Sequence, residues 1–388
     1  MFLKKTIERN HRLVELAMEY ISTGQIQPDT YVIDMDSLLD NAKEMLEVAK
    51  KSGIRLYFMT KQIGRNPYIA SKLMELGFDG AVCVDYKEAQ RLGSAGIKIG
   101  HVGHLVQIPK KCIKEILMYK PEIITVYSYD KAQEVSEVAI ELDMQVDLML
   151  RVVGDDESIY EGQKGGLNVE ELEDIALKIN KLENVKIVGI TAFPCFLYDS
   201  DKEKVIETTN IKAIQAAKLI LEKIGINLKQ INLPSNTSVE SIKMISYLGG
   251  THGEPGHSLT GTTPGMATSS IGEIPSIVYA SEISHTYGKH SYFYGGGHYR
   301  RSFVKNALVG KNLQTAKMAN VLPLEPHSID YYFELDTCFE VSVPVILAFR
   351  TQVFVTRSEV ALVEGLHNNQ PKIVRLFDAL GNQIGKGV

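Results

Sequence analysis

Between residues 55 and 249 the sequence alternates short apolar runs with longer stretches of helical spacing, a rhythm that few folds accept. The strand-like runs are Leu56 to Met59, Gly80 to Val84, Ile97 to Val102, Ile123 to Tyr127, Val146 to Val153, Val185 to Phe193, Gln230 to Leu233 and, more weakly, Ile245 to Gly249. The first of these is too short for a buried helix, and each is followed by a Gly/Pro loop or a helical pattern such as Tyr86 to Leu92, Pro109 to Met118, Lys131 to Leu142 or Val169 to Ile179. About eight β/α units is the number that closes a parallel barrel. A doubly wound open sheet alternates in the same way, but no G-x-G-x-x-G follows the first strand, so the barrel is the better reading.

The flanks read differently. Met1 to Gln27 is helix-like, with Leu13, Leu16, Ala17 and Tyr20 spaced to share a face. Tyr31 to Asp34 reads as a short strand, and Asp36 is an N-cap for a helix running to about Lys51. Past Pro264 the chain turns Gly-, Tyr- and Ser-rich and then strand-like at Phe339 to Ala348, Gln352 to Thr356 and Lys372 to Leu376, with turn signals at Gly365, Asn368-Asn369 and Gly381-Asn382. A chain of 388 residues is too long for one ordinary core. We therefore expect an α/β fold, a TIM (β/α)8 barrel followed by a smaller C-terminal β-domain, divided as a helical extension over 1–27, the barrel over 28–265 and the β-domain over 266–388.

Charge excludes some partners. The formal net charge is -5, and acidic and basic residues are mixed along the chain, which leaves no nucleic-acid footprint. No run is long and apolar enough to span a bilayer, and the residues after Lys4 and Lys5 are too polar for a signal peptide. Cys83, Cys112, Cys195 and Cys338 show no metal-type spacing, and reduced thiols in a cytoplasm account for them most simply.

The chemistry centres on Arg55 to Pro67. Its strand ends just before Lys61, and the carboxyl ends of barrel strands are where such folds carry their reactive groups. A lysine there is a Schiff-base nucleophile when its surroundings lower its pKa, and otherwise an ordinary solvated side chain. The neighbouring residues decide between the two. Asp34-Met-Asp-Ser-Leu-Leu-Asp-Asn41 looks like the entry helix, and Tyr57 to Lys61 resembles the strand ending in the cofactor lysine, of the fold-type III pyridoxal-phosphate enzymes. That superfamily contains alanine racemase and ornithine decarboxylase, and the similarity, nearest to its racemase-like YhfX-type branch, runs to about Pro264.

The resemblance implies pyridoxal 5'-phosphate joined to Lys61 as a Schiff base, an amino-acid substrate, and a homodimer in which the partner's β-domain closes the active site. It matches Ser235 and Asn236, with Thr237 beside them, to a phosphate-binding turn; read alone, Leu233 to Ser238 is more often an ordinary N-cap. Glu254-Pro255-Gly256 resembles the decarboxylase motif whose glutamate faces the pyridine nitrogen, where racemases carry arginine. A carboxylate there keeps the ring nitrogen protonated and strengthens the electron sink. His257 stands where decarboxylases hold phosphate with arginine, and Arg65 is placed to replace that charge or to pair with a helix carboxylate.

Three further positions complete the expected site. His101 and His104 end a strand and suit the pocket wall better than a metal, with one of them placed to stack on the cofactor ring and His104 counted among the cofactor-binding residues. Arg151 serves the cofactor's phenolic oxygen, a substrate carboxylate, or a structural carboxylate. Racemisation requires an acid/base on the face opposite Lys61, and Tyr299 or His298, in the Tyr292 to Arg301 run of aromatic, glycine and basic residues, is the candidate. Amino-acid racemase is the first expectation, decarboxylase the second, and a pyridoxal-phosphate carrier or regulator with little turnover the third.

Overall fold

The computed structural model describes residues 2–154, 159–295, 298, 302–325 and 327–386. Two compact units interleave along the chain: Met1–Ala42, Lys61–Asn66 and His257–Val388 form one, Lys43–Thr60 and Pro67–Gly256 the other. Among the described residues no helix is long and apolar enough to cross a membrane.

The second unit is a closed barrel. Its eight parallel strands are β2 (Arg55–Met59), β3 (Gly80–Cys83), β4 (Ile99–Val102), β5 (Ile123–Val126), β6 (Val146–Val153), β8 (Val185–Thr191), β11 (Gln230–Asn232) and β12 (His252–Gly253). They pair in that order, and β12 returns to β2 to close the ring. The short β7 (Leu167–Asn168) pairs parallel with the end of β6, and β9 (Phe196–Asp199) pairs with β10 (Lys204–Glu207) as a separate hairpin. Apolar residues such as Ile123, Met149 and Val188 fill the interior. Gly100 makes room for a ring: a Cβ there would lie 2.3 Å from the Tyr57 side chain. Only glycine fits beside that tyrosine.

The amino end of the barrel is plugged by charge. Arg55 donates to Asp79 at 2.7 Å and to both oxygens of Glu122 at 2.6 and 3.1 Å, while Tyr57 and Lys98 also donate to Glu122. Burial pushes the Glu122 carboxyl up, but Arg55, Lys98 and Tyr57 outweigh it and hold it at about 2. In such barrels this face carries stability rather than chemistry.

The eighth strand is a correction to the sequence reading. Ile245 to Gly249 is not a strand: Ser238 caps a helix over Val239–Tyr247 through a reciprocal bond with Ser241, and Ile242 and Ile245 are buried one turn apart. The barrel closes instead with the two-residue β12, too short to register as a strand pattern.

The first unit is a mixed sheet packed under two N-terminal helices. Its strands are β1 (Thr30–Asp34), β13 (Ile277–Tyr287), β14 (His290–Tyr294), β15 (Asn306–Val309), β16 (Lys317–Asn320), β17 (Tyr332–Leu335), β18 (Pro344–Leu347), β19 (Glu359–Glu364), β20 (Lys372–Asp378) and β21 (Gln383–Lys386). The order is β16-β15-β18-β13-β1-β19-β20-β21, with β14 bridging β13 and β17. β1 therefore belongs to this sheet, antiparallel to β13 and parallel to β19, and not to the barrel segment 28–265 in which the sequence reading put it. All five of its residues are buried, the pattern of a central strand, which does not reveal which sheet it joins.

The helical extension is two helices, Phe2–Arg9 and His11–Thr23, separated by Asn10, whose side chain accepts from Leu13 N–H. Leu13, Val14, Ala17 and Ile21 pack on Val32, Val278, Ile346 and Ala361 of the sheet. Gln352 to Thr356, read as a strand, instead holds a 3-10 turn over Val353–Val355. Lys61–Asn66 also belongs here: Thr351 Oγ1 donates to Gln62 O at 3.0 Å, and the Arg65 guanidinium lies 5.1 Å over the Phe354 ring.

Candidate active site

Lys61 follows β2 after one intervening residue and opens a single 3-10 turn, Lys61–Ile63, before Pro67 starts the next helix at its first position. The intervening Thr60 is fully buried and donates to Glu88 Oε1 at 2.5 Å, while Glu88 Oε2 accepts from Val84 N–H at 2.6 Å. The chain is thus clamped at the point where it reaches the lysine.

The barrel unit assembles a polar cluster at the carboxyl ends of its strands. Arg151, Thr191 and Asn232 lie side by side in register across β6, β8 and β11. All three are buried, and each has a polar atom (Arg151 Nε, Thr191 Oγ1, Asn232 Oδ1) with no hydrogen-bond partner among the described residues. Arg151 donates to His104 O at 3.2 Å, to the Tyr127 hydroxyl at 2.5 Å and to Gln163 O at 3.0 Å, all neutral acceptors. A buried guanidinium whose described contacts include no carboxylate is in deficit, and an anionic ligand group would balance it.

Glu254 follows β12 and is buried. Its Oε1 accepts from His101 Nδ1 at 2.6 Å and from Asn232 Nδ2 at 2.7 Å, whereas Oε2 has no hydrogen bond among the described residues and lies 4.0 Å from His104 Nε2. Burial raises this carboxyl, but His104 and His101 beside it, and Asn232, overcome burial and hold it at about 2. His101 Nε2 meets Thr125 Oγ1 at 2.5 Å. The His104 ring lies 5.1 Å from His101 and 5.5 Å from Phe193, which in turn packs against Tyr160.

The turn after β11 carries Ser235 and Asn236 in the left-handed region, at φ 88° and 50°. Thr237 Oγ1 accepts from the Glu254 backbone N–H at 3.1 Å, so this turn and the Glu254-Pro255-Gly256 segment are joined. Pro255 O in turn accepts from Met59 N–H, which ties the segment to β2. Cys195 donates to Ala192 O at 3.3 Å, and burial pushes its thiol far up, against the thiolate form.

In the other unit, Arg65 is buried with a left-handed backbone, φ 53°. His257 Nδ1 meets Thr262 Oγ1 at 3.1 Å and its Nε2 meets Gln352 Nε2 at 3.3 Å. The His298 ring packs 5.0 Å from Phe333, and burial lowers its pKa. Tyr299 lies outside the described residues. No group of three His, Cys, Asp or Glu side chains among the described residues is arranged to hold a metal ion.

A parallel barrel with a polar cluster at the carboxyl ends of its strands is the arrangement of the enzymes that carry their chemistry on that face. The alanine racemase N-terminal domain family matches residues 33–264 and the YhfX-like C-terminal domain family matches residues 278–373. The chain is 42% identical over 386 residues to the uncharacterized protein YhfX of Escherichia coli (strain K12), covering 99% of this chain and 100% of that one. Among solved structures, D-threonine aldolase from Filomicrobium marinum superposes with TM-score 0.68 at 12% identity, covering 92% of this chain and 95% of that chain. Diaminopimelate decarboxylase from M. jannaschii, in complex with L-lysine, gives TM-score 0.65 at 14% identity, covering 94% and 91%. The protein belongs to the alanine racemase-like family of fold-type III enzymes, with a YhfX-like C-terminal domain.

Sequence reading missed Thr125, Tyr127, Thr191, Asn232, Thr60 and Glu88. A signal was present for one of them: Thr125 is a polar interruption inside an otherwise apolar strand run. The meeting of His101 with Glu254, 153 positions apart, had none.

Proposed function

We propose that the protein is a pyridoxal 5'-phosphate-dependent enzyme acting at the Cα of an amino acid, with racemisation as its reaction. The observation that carries the cofactor assignment is Glu254: a buried carboxylate with Oε1 committed to His101 and Asn232 and Oε2 without a hydrogen bond among the described residues. That oxygen suits a protonated pyridine nitrogen. When bound, the cofactor supplies an electron sink that makes the Cα bonds of an amino acid labile.

The chain's own residues have these roles in the proposal. Lys61 is the amine that holds the cofactor and moves the Cα proton on one face. Thr60 and Glu88 fix the backbone that presents it. Arg151 holds the phenolic oxygen or a substrate carboxylate, and His104 stacks on the ring. Ser235, Asn236, Thr237 and Gly256 of the barrel unit are the phosphate-binding candidates, and Arg65 and His257 are those of the other unit. His298 or Tyr299 moves the proton on the second face. The protein works as a cytoplasmic homodimer whose partner's β-domain completes the site.

Decarboxylation is the second reading, and Glu254 favours it. A carboxylate that holds the ring nitrogen protonated gives a stronger sink than the arginine of the racemase branch. Incubating cofactor-loaded protein with single amino-acid enantiomers in deuterium oxide separates the readings. A racemase yields the mirror-image amino acid carrying solvent deuterium at Cα. A decarboxylase yields an amine, and protein that only carries the cofactor yields neither.

A further inference from the structure

Glu254 does not stand alone against its ligand. Thr125 on β5, His101 on β4 and Glu254 after β12 form a continuous hydrogen-bonded row through the barrel interior, at 2.5 and 2.6 Å, and His101 and Thr125 are buried throughout. An ionised carboxylate only accepts, so the proton between His101 and Glu254 sits on Nδ1. The Thr125 hydroxyl has no other hydrogen-bond partner among the described residues. In the neutral Nδ1–H form, His101 accepts that hydroxyl proton at Nε2, and both ring nitrogens and the Thr125 hydroxyl are satisfied. In the doubly protonated form the threonine proton has no acceptor, and in the opposite tautomer Nδ1 and the carboxylate would face each other as two acceptors.

We infer that His101 is a positioning residue: locked by Thr125 as the neutral Nδ1–H tautomer, it commits Glu254 Oε1 to the protein and reserves Oε2 for a protonated ring nitrogen. This inference rests on the cofactor reading given above. Asn232, the second donor to Oε1, fixes the plane of the carboxylate from the neighbouring strand, so the carboxyl group cannot turn to share its oxygens. The row selects the protonated form of the cofactor nitrogen before any substrate arrives.

Two measurements test it. Nitrogen NMR of imidazole-labelled apoprotein should show His101 with Nδ1 protonated and Nε2 bare, and the near-isosteric Thr125→Val, which removes the hydroxyl facing Nε2, should raise the share protonated at Nε2. Cofactor labelled with 15N at the ring nitrogen should read as protonated in wild type and in His101→Asn, whose amide can replace the Nδ1 donor, and as unprotonated in His101→Phe. A doubly protonated or Nε2–H His101 overturns the inference, as does a ring nitrogen equally protonated in His101→Phe. If His101→Phe does not fold, the change in Nε2 protonation in Thr125→Val decides the matter alone. Wild-type protein that binds no cofactor refutes the proposed function, and the role of His101 falls with it; a correct His101 tautomer beside that result marks the cofactor reading as the part that failed.

Discussion

The Arg151 guanidinium donates to the Tyr127 hydroxyl at 2.5 Å and lies 4.8 Å from the centre of its ring, with neutral oxygens as its other described acceptors. A charge buried in this way is a liability to the folded protein unless a ligand shares it. Replacing Arg151 with Met should therefore leave the apoprotein as stable as wild type, or more so by about 1–4 kcal/mol as in other buried-charge replacements. Affinity for the cofactor or for an anionic substrate should fall by about tenfold or more, the loss of a charge-assisted hydrogen bond. Urea unfolding of the apoprotein and absorbance titration with pyridoxal 5'-phosphate read the two effects separately.

Glu254 and Glu122 make the fold acid-sensitive. Each carboxyl is lowered from an ordinary 4.5 to about 2 in the folded protein. A depressed folded-state pKa contributes stability that is fully present above the unfolded value and is lost as pH falls through the folded one. Stability should thus decline between pH 4.5 and 2. Glu254→Gln and Glu122→Gln should each flatten part of that decline, measured as unfolding free energy against pH.

The Thr60–Glu88 bond predicts a stability effect next to the lysine. Thr60→Val removes a donor from a fully buried carboxylate and should lower stability by about 1–3 kcal/mol. Glu88→Ala removes the acceptor of both the Thr60 hydroxyl and Val84 N–H and should be at least as damaging. Chemical denaturation of the two variants tests both.

Gly100 predicts a packing effect. Gly100→Ala forces a methyl to within 2.3 Å of the Tyr57 ring and should lower the unfolding free energy by about 1–3 kcal/mol. Adding Tyr57→Leu should recover part of that loss, because the clash disappears even though the bond from Tyr57 to Glu122 goes with it.

Much of the architecture was legible because the barrel's signal is local. Runs such as Ile123–Val126 and Val146–Val153 are apolar and bounded, and each needs only its own residues to be seen. β12 failed that test because a strand of two residues has no period, and β1 failed because uniform burial names no partner sheet. The site divided along the same line. Glu254, Arg151 and the His101/His104 pair were visible as unusual residues at strand ends. Of their neighbours, Thr191 and Asn232 are ordinary polar residues that gain meaning only when strands distant in sequence come into register.

The central claim is that Lys61 holds pyridoxal 5'-phosphate, and the most direct measurement is borohydride reduction of the cofactor-loaded protein followed by peptide mass analysis. The account predicts a single phosphopyridoxyl adduct on Lys61, together with loss of the visible cofactor band in Lys61→Ala. An adduct on another lysine, or a band unchanged in Lys61→Ala, would contradict it.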